Sequence, residues 1–284
     1  MFRSLATLFV LSTTTGCVPL EMGVFEALDA LGEVGRSGRG IQATGDVIEV
    51  STDFTIGQAL EDAADAIAAF WETQADCSTV TLDGARVTVD YGALEDGCVY
   101  NGQTFAGITM VTVTSTAPGD LEVEHDWMGF TNGDVTLDGD ATVTWDGTDQ
   151  TRRVETDHVW SDDDGTVSVI GDHLSAPLEE GVPFWESGFT LEGSRDWTTE
   201  RGGWTLTMTG LELRLLDPAP QAGSLDLLAP NGKTLGIDYS RVDDATIQAV
   251  LRGVRGGDRT YHINRFGQVE EADGGEPETD DTIE

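Results

Sequence analysis

From Cys77 onward, apolar and polar residues alternate with a period of two. Leu121, Val123, His125 and Trp127 interleave with Glu122, Glu124, Asp126 and Met128, the pattern of a strand with one buried face. Trp204, Leu206 and Met208 share another such face. After Gly210 the apolar parity moves to Leu211, Leu213 and Leu215, which a β-bulge at Gly210 would produce. Asp-Gly and Asn-Gly pairs, strong signals for tight hairpin turns, recur nine times along the chain. Residues 223–253 read as a further small meander that runs on into YHINRFG.

Upstream of Cys77 the period is helical. Within residues 51–77, Ile56, Leu60, Ala63, Ala64, Ile67 and Trp71 fall on one face. Asp53 or Thr55 can cap this helix, and Glu61 and Asp62 lie near its positive end, where they read as a solvated face. Leu20, Val24, Leu28 and Leu31 are spaced for a shorter amphipathic helix. GRSGRG at 35–40 then reads as a flexible, basic tether. The predicted fold is mainly β: an antiparallel meander, or sandwich-like sheets, of hairpins with one N-terminal amphipathic helix packed on them.

The pentapeptide VTLDG at Val80–Gly84 returns at Val135–Gly139, and FTLEG sits at Phe189–Gly193. In the first copy, a two-residue turn at Asp83-Gly84 places Val80, Leu82, Val87 and Val89 on one face. The other copies need three-residue loops, 138–140 and 192–194, for their apolar residues to share a face. The third then pairs Phe189 with Trp197. All three are expected to be hairpins, with the latter two as candidates for a duplication.

Charge narrows the partners. The 284 residues carry a formal net charge of −37, from 52 acidic and 15 basic residues, and Lys233 is the single lysine. Such a surface repels phosphate backbones, which excludes ordinary nucleic-acid binding, and it is not drawn to an anionic bilayer by charge. It favours cations or basic peptides.

The N-terminus reads as an export signal. Arg3 supplies the positive region, and Leu5–Leu11 is too short and apolar a run to cross a bilayer as a helix. The segment ends in Thr14-Thr15-Gly16-Cys17, which resembles a bacterial lipobox through Gly16 and Cys17 and departs from it at Thr14. That resemblance implies cleavage before Cys17 and a diacylglycerol on its thiol; the alternative is an ordinary secreted protein. Val18, in place of Asp, implies outer-membrane sorting by the same resemblance. With Cys17 lipidated, Cys77 and Cys98 remain as an even pair in an exported chain and are expected to form a disulfide. The expected organisation is a signal peptide over 1–16, a lipid anchor and tether over 17–46, and a β-rich domain over 47–269 followed by an acidic disordered tail over 270–284. Pro218 and Pro220 mark a sub-boundary near 217–222.

Candidate chemistry is sparse. His125, His158 and His173 each neighbour an Asp (Asp126, Asp157, Asp172), but adjacent strand residues face opposite ways, and with His262 they lack zinc spacing. All four read as structural or surface histidines. Gly232-Lys233-Thr234 reads as a turn before a strand, since Leu227 stands where a phosphate loop needs glycine. Asp162, Asp163 and Asp164 form the richest carboxylate turn and are weak calcium candidates, without EF-hand spacing. Seven tryptophans could line a sugar-binding face; Trp145 and Trp197 fall on core faces, whereas Trp160 and Trp185 are the freer ones. No cofactor or catalytic residue is expected.

The lipobox-like start, the helix running into Cys77, the stretch VTVDYGALEDGCVYNGQTFAGITMVTVTST and the Gly- and Thr-rich β body together resemble lipoproteins of unassigned role from Gram-negative, myxobacteria-like bacteria. The resemblance implies location and a β-rich fold, and no catalytic residues. The reading is a lipid-anchored, extracytoplasmic, outer-membrane envelope protein with a structural or interaction role and no enzymatic activity. A calcium- or carbohydrate-binding surface module is the alternative, and a hydrolase built from scattered carboxylates the third.

Overall fold

The computed structural model describes residues 21–37, 60–74, 77–100, 103–117, 120–179, 181–182 and 184–272. Residues 24–37 form helix α1, Leu60–Gln74 form α2, and Phe184–Ser187 form the single turn α3. The strands are β1 (Thr79–Asp83), β2 (Arg86–Asp90), β3 (Cys98–Tyr100), β4 (Gln103–Ala117) and β5 (Asp120–Thr131). They continue as β6 (Thr136–Asp146), β7 (Thr151–Asp162), β8 (Gly165–Pro177), β9 (Phe189–Thr199) and β10 (Gly202–Leu213). The last five are β11 (Ala222–Leu228), β12 (Thr234–Asp243), β13 (Thr246–Arg252), β14 (Arg259–Asn264) and β15 (Val269–Glu271).

All 15 strands belong to one antiparallel sheet in which, β3 aside, sequence order is spatial order. The alternation read from the sequence sets the faces. Across the sheet, Val89, Thr109, Trp127, Gly139, His158, Val169, Trp197 and Trp204 stand opposite one another in a single transverse rung. Val87, Val111, His125, Ala141, Thr156, Gly171, Arg195, Leu206, Leu227 and Leu235 form the next. Neither rung contains a carboxylate, and both line the core. The position between them faces outward as Asp126, Asp140, Asp157, Ile170 and Asp196. A period-two chain therefore segregates its charge: the acids are solvated on one face, while the other is free to bury apolar area at roughly 25 cal/mol per Å².

Both helices pack on the apolar face. In α2, Ala63, Ala64, Ile67, Ala68 and Trp71 are buried, the face expected from their spacing. Ile56, Asp53 and Thr55 lie outside the described residues. Trp71 meets Tyr91 edge-on with centroids 6.3 Å apart, and Tyr91 leads on to Phe130 and the stacked Phe105. Small alanines bring the helix backbone close to the sheet, and the aromatic chain fills what they leave.

Helix α1 runs along a row of hairpin turns. Met22 exchanges main-chain hydrogen bonds with Gly253 and Arg255, after β13. Glu26 accepts from Asn231 and Lys233, between β11 and β12. Asp29 and Glu33 bind Arg201, between β9 and β10. Arg36 reaches Asp162, at the end of β7, and lies over the Trp160 ring. Every second connection of a meander falls at the same end, so one straight element can touch them all.

Several expectations are corrected. Gly35, Arg36 and Ser37 of the predicted tether are helical and held to the body. The sheet runs unbroken through the expected sub-boundary: β10 pairs with β11 directly, and Pro218 and Pro220 occupy their connection. Val269–Glu271 pairs with β14, so the ordered body extends into the segment predicted as tail. The bulge at Gly210 is present as a register shift between Thr209 and Glu212.

The recurring pentapeptide divides. Val80–Gly84 does form a hairpin, with Gly84-Ala85 as its two-residue loop, Leu82 opposite Val87 and Val80 opposite Val89. The loop lies one residue later than predicted and the faces are as expected. The other copies are not turns. Asp138-Gly139 lies inside β6 and Glu192-Gly193 inside β9, and Trp197 faces Trp204 rather than Phe189. Leu137, Gly139, Ala141, Val143 and Trp145 share a face because they are alternate residues of one strand. A three-residue loop and no loop at all preserve the same parity, so register reasoning could not separate them.

Candidate functional site

Groups able to do chemistry gather on the inner face, His125 and His158 on the two rungs and His173 one inward position further along β8. His125 and His158 are each 1% exposed, and each stands beside an inward tryptophan: His125 stacks on Trp127 with centroids 5.9 Å apart. His158 follows Gly139 across the β6–β7 pair, and His173 follows Gly193 across the β8–β9 pair. This is the geometry that VTLDG and FTLEG share. Both glycines are mid-strand with φ near the mirror of the extended region, +136° and +139°. A Cβ on Gly139 would lie 2.4 Å from the Asp157 carbonyl oxygen and 2.5 Å from His158 Cα. On Gly193 it would lie 2.0 Å from the Asp172 carbonyl oxygen. Each glycine thus admits the backbone of an Asp-His dipeptide from the neighbouring strand. The D-H dipeptides were visible in the sequence, but their partnership with the repeated glycines required the strand order.

Each histidine is parted from its neighbouring Asp by the sheet itself. Asp126 lies outward beside Arg86, and Asp172 accepts a two-point contact from Arg153 at 2.6 and 2.8 Å. Loss of hydration on burial, reinforced by the positive charge of Arg152, lowers the His125 pKa to about 3. Burial, with Arg195 nearby and partly offset by Asp157, lowers that of His158 to about 4. Burial and Arg195 also lower the His173 pKa. All three are neutral at pH 7. Both ring nitrogens of His158 and the indole N–H groups of Trp127, Trp160, Trp197 and Trp204 meet no hydrogen-bond partner among the described residues. The histidines also stand apart. In flat-sheet spacing their Cα atoms lie roughly 12 Å apart for His125 and His158, two strands and one rung distant, and roughly 14 Å for His158 and His173, one strand apart and four residues out of register.

The predicted sites fall elsewhere. Cys77 and Cys98 are disulfide-bonded, with their Cα atoms 5.2 Å apart, as predicted. Cys17 lies outside the described residues. Asp162 closes the β7–β8 hairpin opposite Gly165, leaving Asp163-Asp164 as its loop. Its carboxylate accepts the Asp164 N–H at 2.9 Å and lies 3.6 Å from Arg36, so a cation there would compete with a guanidinium. Among the described residues no group of three Asp, Glu, His or Cys side chains is placed to hold a metal. Trp160 is fully buried, contrary to expectation, and Trp71, Trp127, Trp197 and Trp204 are buried with it. An exposed sugar platform cannot be built from these five. Asn231-Gly232 makes the turn before β12, and Lys233 is engaged by Glu26.

The outward face carries the densest charge. Asp126, Asp140 and Asp157 stand directly opposite one another on three strands. Partial burial, then Asp157, Asp126 and Glu124, hold the Asp140 carboxyl above the ordinary carboxylate range. No protein-family model, curated protein or solved structure matches this chain.

Proposed function

We propose that this protein is a lipid-anchored, extracytoplasmic component of the outer membrane that acts as a structural or interaction module and not as an enzyme. The observation that carries the reading is the Cys77–Cys98 bond. Structural disulfides persist in oxidising compartments, and the bond leaves Cys17, at the lipobox-like Gly16-Cys17, as the single cysteine free for acylation. Against catalysis stands the inner face: His125 and His158 are buried and neutral, and each neighbouring Asp points the other way. Mass spectrometry of the native N-terminus tests the anchor. Diacylglyceryl-Cys17 as the first residue is expected, and an unmodified residue upstream of Cys17 in the mature protein refutes it.

The alternative is cation binding by the carboxylate-rich surface. The mutual repulsion of Asp126, Asp140 and Asp157 favours loose cation association, although no three carboxylates among the described residues are placed to hold one ion. Calcium titration by calorimetry decides: no heat and no thermal shift remove it.

A further inference from the structure

We infer that the outer face of α1 lies in the membrane interface and fixes the orientation of the protein on the bilayer. This rests on the reading of Cys17 as the acylated residue. At 100° per residue, the outer arc of α1 is Leu31, Val24, Gly35, Leu28, Gly32 and Phe25, an uninterrupted apolar third of the helix. Phe25 is 88% exposed and Leu28 61%. The helix buries its other side, through Ala27 and Ala30.

Two features make this arc more than a scatter of exposed apolar residues. Glu26, Asp29 and Glu33 are turned toward the hairpin loops, where Lys233 and Arg201 hold them. In a chain with 52 acidic residues, the arc beside them therefore presents no charge. These ion pairs and the main-chain bonds of Met22 also hold the helix to the sheet, so a surface that engages the arc engages the whole body.

The occupant follows from position and charge. Cys17 precedes Val24 by seven residues, so an acyl group on its sulfur confines the start of α1 to within about 24 Å of the bilayer. A body with a net charge of −37 approaches a membrane most easily through its uncharged patch. Interfacial helices bury an apolar face several ångströms into the headgroup boundary. The arc has no Lys or Arg, so its attraction to lipid is apolar and does not require anionic headgroups.

The test uses the full mature protein in phosphatidylcholine proteoliposomes, with an environment-sensitive fluorophore on Leu28→Cys or, as control, on the outward Thr198→Cys. Blue-shifted emission at position 28, quenched by brominated acyl chains, with neither effect at 198, is the expected result. An acylated protein whose label at 28 stays in water overturns the docking while the anchor stands. If the native N-terminus carries no acyl chain, the anchor fails and docking is judged alone, from vesicle sedimentation of the mature protein. Binding to phosphatidylcholine that weakens at least tenfold in Phe25→Glu/Leu28→Glu upholds it; no binding overturns it. A blue shift at 28 that grows with protein concentration in the absence of lipid also overturns it, since the arc would then join two copies of the chain.

Discussion

Gly139→Ala should cost this protein much of its stability, although it adds one methyl group to a chain of 284 residues. The new Cβ would lie 2.4 Å from the Asp157 carbonyl oxygen, 2.5 Å from His158 Cα and 2.7 Å from His158 Cβ. The two shortest contacts are with backbone, so no rotamer change relieves them. The β6–β7 pair must open by about 1 Å or shift register, against ladder hydrogen bonds on both sides. Overpacking of this kind costs about 1–3 kcal/mol. Holding alanine at a φ of +136°, a conformation essentially reserved for glycine, adds about 1–3 kcal/mol. Reduced freedom of the unfolded chain returns about 0.4–1 kcal/mol. The net loss is about 1–6 kcal/mol, against a total stability of about 5–15 kcal/mol for an ordinary domain. Urea unfolding followed by tryptophan fluorescence measures it, since Trp127 and Trp160 flank the site. Gly203→Ala is the control: Gly203 is also within a strand, but its Cβ meets nothing within 4 Å and its φ is not positive. It should be neutral or slightly stabilising. Equal tolerance of the two substitutions would refute the close-approach account of VTLDG. Gly193→Ala should match Gly139→Ala, because its Cβ would stand 2.0 Å from a carbonyl oxygen.

Acid should destabilise the fold through its histidines. Their folded pKa values lie below the ordinary 6.5, near 3 for His125 and 4 for His158, so the unfolded chain takes up protons first. Stability is full above pH 6.5 and falls as pH drops toward 4, by roughly 2–3 kcal/mol for each of the two histidines at pH 4.5. Unfolding midpoints measured across this range should show the slope, and His158→Leu should flatten it while costing little at pH 8, since its ring nitrogens are unpartnered. Asp140→Asn should stabilise by a few tenths of a kcal/mol at low salt, by relieving repulsion from Asp126 and Asp157, and the gain should shrink in 1 M salt. A melting-temperature series in salt checks this, and a gain that grows with salt would contradict it. Cys77→Ala/Cys98→Ala should lose on the order of 3 kcal/mol in urea unfolding, the loop-closure contribution of about 22 residues, and equal midpoints for the two proteins would count against it.

Period-two alternation made most strands legible in advance because each strand must bury one face and solvate the other, whatever its neighbours are. The same rule placed His125 and Trp127 inward and Asp126 outward, and the parity change at Gly210 revealed the bulge. Helix α1 was legible only in part. Its stripe of Val24, Leu28 and Leu31 is the exposed side, and Ala27 and Ala30 make the buried one, since small residues allow the helix to approach the sheet. Trp160 read as free, yet it lies under Arg36 of α1.

Local sequence determined which residues alternate, where one bulge falls and that the surface is acidic, because each of these depends on near neighbours or on composition. The tertiary structure decided what Gly139 and Gly193 are for. Turn and strand preserve the same parity, and only the approach of Asp157-His158 and Asp172-His173 from adjacent strands shows that glycine serves there as space between two backbones. It also decided the fate of the charges: the acids of α1 are held by Arg201 and Lys233, residues more than 160 positions away, and that pairing leaves the outer arc of α1 bare.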